Sequence, residues 1–186
     1  MSFDQSIFEA LYALAGKSQL LDFAGIFFAS YLPYLLLVLF FVFLLRERRW
    51  KVRFYNFVFV ALAVILSRGL FAEIIRFFYY RPRPPVILSI EPLIDLSSSG
   101  SFPSGHATIF FALAGAMFLL NRRWGLWFFG GAILIGIARI FVGVHWPLDI
   151  VGGLVVGFLS AGIVKLLLRR TGAEPSEFKE ISAAKS

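Results

Sequence analysis

The stretch FAGIFFASYLPYLLLVLFFVFLL, Phe23 to Leu45, runs for 23 residues without a charged side chain. A helix of that length, rising about 1.5 Å per residue, crosses the ~30 Å hydrocarbon of a bilayer. Outward from it, Phe54 to Ser67 is also uncharged, and its helical reading continues through Arg68, Glu73 and Arg76 until Tyr79 to Pro85 breaks it. Three shorter runs follow: Ala107 to Leu120, Trp124 to Ala138 with a continuation to Val142, and Ile150 to Val164 led in by Trp146 to Leu148. With polar residues at their ends these give spans at about 23–45, 54–78, 104–121, 124–142 and 146–168. The whole chain of 186 residues agrees, being 59% hydrophobic and only 16% charged, with a mean hydropathy of +0.82. Such a composition excludes a disordered chain and an ordinary soluble domain. The expected fold class is an all-α integral membrane protein, a bundle of about five transmembrane helices plus an N-terminal interfacial amphipathic helix.

That interfacial helix is assigned to residues 1–22, where Phe3, Ile7, Phe8, Leu11, Tyr12, Leu14 and Ala15 roughly follow a helical stripe, with Asp4 and Glu9 among them. The segment is too short to span and reads as lying on the membrane surface. It has no basic stretch ahead of an apolar run and cleavage site, so it does not read as a secretory signal peptide. Residues 1–170 form one transmembrane domain, and 171–186 a polar tail expected to be a mobile end. The chain has no Cys, which removes disulfides, thiol nucleophiles and thiolate metal sites.

A net charge of +7 invites a nucleic-acid partner, but the basic residues sit between apolar runs as topology markers do. Arg46, Arg48, Arg49, Lys51 and Arg53 crowd one connection, Arg122 and Arg123 another, and Arg169 and Arg170 end the last span. These ends are expected to be cytoplasmic, which puts the C-terminus inside and predicts a multi-pass protein of the plasma (inner) membrane. The loop after the second span breaks the pattern, because Arg81 and Arg83 fall on the outer side.

Four span ends face that outer side, and they carry the chain's least membrane-compatible residues. The second span gives Arg76, then six residues, then Arg83-Pro84. The third opens at Pro103-Ser104-Gly105-His106. The junction of the fourth and fifth gives Arg139, five residues, His145, three residues, Asp149. Three guanidiniums offer forked, permanently charged donors matched to phosphoryl oxygens. Two helix N-termini point their free N–H groups the same way, and Ser104 and Gly105 let an anion approach closely. If Pro147 lies in the first turn of the last helix, His145 and Asp149 share a face. The carboxylate can then fix the imidazole tautomer while the other ring nitrogen attacks phosphorus. His106 is placed to protonate the leaving oxygen. No acidic cluster points to Mg²⁺ or Zn²⁺, so no metal and no cofactor is expected.

In order and spacing these blocks resemble the type 2 phosphatidic acid phosphatase superfamily of membrane lipid phosphatases and acid phosphatases. Its pattern of Lys-x6-Arg-Pro, Pro-Ser-Gly-His and Ser-Arg-x5-His-x3-Asp is met with Arg76 in place of the Lys and Ala138 in place of the leading Ser. The resemblance implies that His145 is a nucleophile forming a phosphohistidine, Asp149 its orienting partner and His106 the general acid. It implies phosphate binding by Arg76, Arg83, Arg139, Ser104 and Gly105. The small size, the outward site and the opening stretch Ile7-Phe8 through Leu21-Asp22 are similar to bacterial undecaprenyl-diphosphate phosphatases of the bacitracin-resistance type.

The expectation is therefore a metal-independent lipid phosphatase acting on a membrane lipid at the periplasmic or extracellular face, with undecaprenyl diphosphate first among substrates. Phosphatidylglycerophosphate, phosphatidate and lipid A phosphates stay open, as does the oligomeric state. The reading from another class is a non-catalytic protein that binds or moves anionic lipid with the same arginines. Outside the motifs, Arg81 is expected to be an interfacial anchor for lipid headgroups, and the three prolines around Arg83 to stiffen a loop. Arg68 and Glu73 are left out of the site, with Glu73, three residues before Arg76, read equally as an ion-pair partner that positions Arg76 or as a direct substrate contact. Gly153 and Gly157 are expected to serve close helix packing.

Overall fold

A computed structural model of the chain describes residues 3–95 and 100–176. They are helical, without strands. A short helix α1 (Phe3–Tyr12) turns through residues 13–18 into α2 (Gln19–Arg46) and then α3 (Trp50–Phe78). A five-residue helix α4 (Pro84–Leu88), α5 (Gly105–Leu120), α6 (Arg122–Phe141) and α7 (Pro147–Arg170) follow. Four of these, α2, α3, α6 and α7, are long and apolar enough to cross a membrane, and α5 is a shorter apolar helix of 16 residues.

The expected interfacial helix ends earlier than foreseen, at Tyr12, and both first spans begin four residues sooner than the uncharged runs indicate. Helices admit Gln19 or Lys51 at an end that reaches the headgroups, so a charge-free window marks the hydrocarbon and not the helix. Pro33 lies inside α2, where it cannot donate to the carbonyl of Ala29 and its ring crowds that carbonyl. The helix widens into a π-helical turn at Phe27–Tyr31 just ahead of it. A second π-helical stretch, Ile65–Phe71, interrupts α3 and carries Arg68. The proline loop is not only a stiffener, since Pro84 and Pro85 start α4, where a missing N–H costs nothing.

Short α5 sits at the centre. Phe110, Phe111, Leu113, Ala114 and Met117 on it are buried against Phe59 of α3, Phe128 and Ile135 of α6 and Ala161 of α7. Gly153 and Gly157 do serve close packing. A Cβ on Gly153 would lie 2.5 Å from Ala107 Cβ, and one on Gly157 2.6 Å from the backbone N of Ala112, so α7 touches the α5 backbone itself. Around this core, Phe77, Phe78 and Trp127 are exposed, as lipid-facing side chains of a bundle must be.

The first residues of the polar tail pack back on the bundle. Glu174 folds back to accept from Lys165 Nζ at 2.6 Å and from Tyr55 Oη at 3.2 Å. The rest of that tail, 177–186, lies outside the described residues.

Candidate active site

Hydrogen bonds to backbone carbonyls tie four helix ends into one floor. Ser104 N donates to the carbonyl of Asp149 at 3.0 Å, joining the starts of α5 and α7. Arg76 Nη2 donates to the carbonyl of Pro103 at 2.8 Å, joining the end of α3 to the start of α5. Arg83 Nη1 donates to the carbonyl of Val144 at 2.9 Å, and Ser101 N to that of Arg81 at 2.8 Å. In the turn between α6 and α7, Gly143 has φ +85°, a left-handed conformation that delivers His145 into this floor without Cβ strain.

His145 is 1% exposed. Its Nδ1 lies 3.4 Å from Asp149 Oδ2 and 3.4 Å from Ser101 Oγ, while its Nε2 lies 3.2 Å from Arg83 Nη1. With the ring proton on the Asp149 side, the Nε2 lone pair faces the arginines. Burial first, then the positive charges of Arg83 and Arg139, push the imidazole down to about 4 against the opposing hydrogen bond of Asp149, so the ring is neutral at pH 7. Asp149, at the third position of α7, accepts from Trp146 N at 2.8 Å, which caps the helix, and also from Ser101 Oγ.

The motif arginines converge with these groups. Arg83 is buried, and burial lowers its pKa from the usual guanidinium value. His106, second residue of α5, lies close enough to Arg139, His145, Arg68 and Arg83 to interact with their charges. Three buried polar atoms here have no hydrogen-bond partner among the described residues: Arg76 Nε, Arg139 Nε and Ser104 Oγ. Ser104 precedes α5 but does not cap it with its side chain. Buried donors are normally satisfied, so these three atoms leave hydrogen-bonding capacity in the floor that an anion could take up. Gly105 lines it: a Cβ there would lie 3.1 Å from Arg68 Nε and 3.4 Å from Arg76 Nη2. Every residue singled out from the motifs is thus brought to this floor.

Two expectations need correction. Arg81 is not a free lipid anchor: its Nη1 donates to Asp149 Oδ1 at 2.8 Å and its Nη2 to Asp4 Oδ2. Arg68 belongs beside the site, because the π-helical turn swings it over Gly105, where it pairs with Glu73. Glu73 also accepts from Arg76 Nη1 at 3.1 Å, the ion-pair reading of the two that their spacing allows. Ser101 and Asp4 were missed altogether. Ser101 has no sequence signal, but Asp4 shares a helical face with Phe8 and Tyr12, a carboxylate within an apolar stripe. Among the described residues, no group of three or more His, Cys, Asp or Glu stands within reach of one metal ion.

The family model of the PAP2 superfamily matches residues 57–172. Undecaprenyl-diphosphatase BcrC of Bacillus subtilis is 34% identical over 158 residues, 82% of this chain and 78% of that protein. A lipid A 1-phosphatase of Rhizobium johnstonii is 32% identical over 113 residues, 58% of this chain and 46% of that one. Among solved structures, Aquifex aeolicus LpxE superposes with a TM-score of 0.69 at 29% identity, covering 88% of this chain and 95% of that one. A PAP2-type phosphatidylglycerolphosphate phosphatase of Bacillus subtilis shares the fold, with a TM-score of 0.63 at 22% identity over 91% of this chain and 88% of that one. The matched stretch takes in all three motif blocks and more than half of the chain, so the cradle around His145 is that of a known family: the chain belongs to the PAP2 superfamily and is a multi-pass membrane lipid phosphatase.

Proposed function

We propose that the enzyme removes the terminal phosphate of undecaprenyl diphosphate at the outer face of the plasma membrane, through a phosphohistidine on His145. The observation that carries the reading is the set of unpartnered donors, Arg76 Nε, Arg139 Nε and Ser104 Oγ, beside a neutral ring nitrogen. Support for the lipid comes from the resemblance to undecaprenyl-diphosphatase BcrC along most of both chains. The basic ends Arg46 to Arg53 and Arg169 to Arg170 lie at the opposite ends of α2, α3 and α7 from the site. With basic loops inside, the site faces outward and the C-terminus is cytoplasmic.

In this reading the guanidiniums of Arg76, Arg83 and Arg139, with Ser104 Oγ and the N–H groups at Gly105, hold the terminal phosphoryl group. His145 Nε2 attacks phosphorus as the bridging P–O bond breaks, and His106 gives its proton to the leaving oxygen. Asp149 stabilises the positive ring that results. Water, deprotonated by His106, then attacks phosphorus and breaks the P–N bond, releasing phosphate and a neutral His145. The arginines stabilise charge on the equatorial oxygens, so the account is metal-independent.

Phosphate release by the purified protein across polyprenyl diphosphates and phospholipid monoesters, with and without excess chelator, tests the reading. It predicts preference for the polyprenyl diphosphate and no loss with chelator. Preference for a lipid A-type phosphate, which the 32% identity to a lipid A 1-phosphatase of Rhizobium johnstonii favours as the second reading, would reassign the substrate. Activity lost to chelator and restored only by a divalent ion would overturn metal independence.

A further inference from the structure

Asp4 is a carboxylate on the surface helix α1, far from every motif, yet it is 5% exposed. Its Oδ1 accepts from Leu148 N at 2.8 Å, in the first turn of α7, and its Oδ2 accepts from Arg81 Nη2. Arg81 Nη1 in turn donates to Oδ1 of the fully buried Asp149 at 2.8 Å. The chain of contacts from α1 thus ends on the carboxylate that faces His145.

Packing fixes this arrangement. Phe8, fully buried, lies with its ring centroid 5.1 Å from that of Trp146 and 5.5 Å from that of Tyr12. Tyr12 Oη donates to the carbonyl of Glu91 at 2.7 Å, and a Cβ on Gly143 would come within 2.8 Å of the Tyr12 ring. Arg81 lies 5.4 Å over the Trp146 indole, whose Nε1 donates to the carbonyl of Pro82 at 3.0 Å. So α1 is seated on the turn that presents His145.

Resting on the phosphohistidine reading above, we propose that Asp4 and Arg81 are positioning residues for the reaction, holding Asp149 in place and setting the charge of the cluster that supports His145. A buried carboxylate needs compensation, and Arg81 supplies it. Arg81 alone would cancel the negative charge that a phosphorylated imidazole requires. Asp4 restores it: on the Nδ1 side of the ring, Asp4, Arg81 and Asp149 together carry one negative charge for the positive ring, while Arg83 stands at Nε2, where the phosphoryl group is proposed to lie. In a water-excluded site such a balance acts strongly.

The test is kinetic, on the full-length protein in detergent or vesicles. Asp4→Asn keeps an oxygen for Leu148 N–H and removes the charge; it is expected to lower kcat about tenfold with KM within about twofold. Arg81→Gln is expected to lose at least as much, and the double variant no more than Arg81→Gln alone, because both act through one carboxylate. Asp4→Glu, which keeps the charge, is expected to recover most of kcat. Wild-type kcat in Asp4→Asn, losses that multiply in the double variant, or an Asp4→Glu as slow as Asp4→Asn would each overturn the proposal. His145→Ala is run alongside. If it is active, the phosphohistidine reading itself fails; if it is inactive while Asp4→Asn behaves as wild type, only the role of Asp4 fails.

Discussion

Nη1 of Arg83 lies 3.2 Å from Nε2 of His145 and donates to the carbonyl of Val144 at 2.9 Å. One guanidinium nitrogen therefore grips the turn that carries His145 and meets the ring nitrogen proposed to attack phosphorus. In the phosphohistidine reading this contact aligns the attacking nitrogen.

Arg83→Gln is accordingly expected to lower kcat/KM by about 10²- to 10³-fold, the range for losing one preorganised donor. Arg83→Lys, which keeps charge but not the fork, is expected to fall between the two. Steady-state rates of phosphate release measure both. Equal activity of Lys and Arg would show that charge alone matters there.

Gly105 is expected to reject a side chain. Its Cβ would stand 3.1 Å from Arg68 Nε and in van der Waals contact with Arg76 Nη2 at 3.4 Å, so Gly105→Ala crowds the Arg68 guanidinium and fills the space between these arginines and the helix start. About tenfold lower kcat/KM is expected, with membrane insertion and melting temperature unchanged. Activity equal to wild type would mean that the phosphate does not approach this helix start.

Acid dependence follows from the neutral His145. Attack needs the unprotonated ring, and its pKa is held at about 4 instead of the ~6.5 of a free imidazole. The rate is then present above that value and lost as pH falls through it, so the acid limb of kcat/KM is expected near pH 4. Arg139→Gln removes a positive neighbour, which favours the charged ring and moves the limb upward. Comparing the two pH profiles on one substrate cancels the substrate's own ionisation. A wild-type limb near 6.5, or no upward movement in Arg139→Gln, would contradict this electrostatic account.

The motif residues were legible because their chemistry is costly in lipid: charged side chains survive there only where function or pairing holds them, so Arg76, Arg83, Arg139, His106 and His145 stood out. The spans were legible for the opposite reason, as runs without charge, but a run stops where the hydrocarbon stops, so α2 and α3 start earlier than the runs indicate. Arg81 was misread because its partners are 68 and 77 residues away, at Asp149 and Asp4, and pairing at that distance leaves no local pattern. Arg68 was left out because a regular helix gives no reason to expect the π-helical turn that swings it over Gly105. Ser101 is one serine in a serine-rich loop until the fold sets it against Asp149.

The central claim is the covalent intermediate, and trapping it tests the account most directly. Enzyme given substrate labelled on the terminal phosphate and quenched in base, where phosphohistidine survives, is expected to retain label in the His106→Ala variant, located on His145, and to retain none in His145→Ala. Label on Ser104, or sustained phosphate release by His145→Ala, would contradict it.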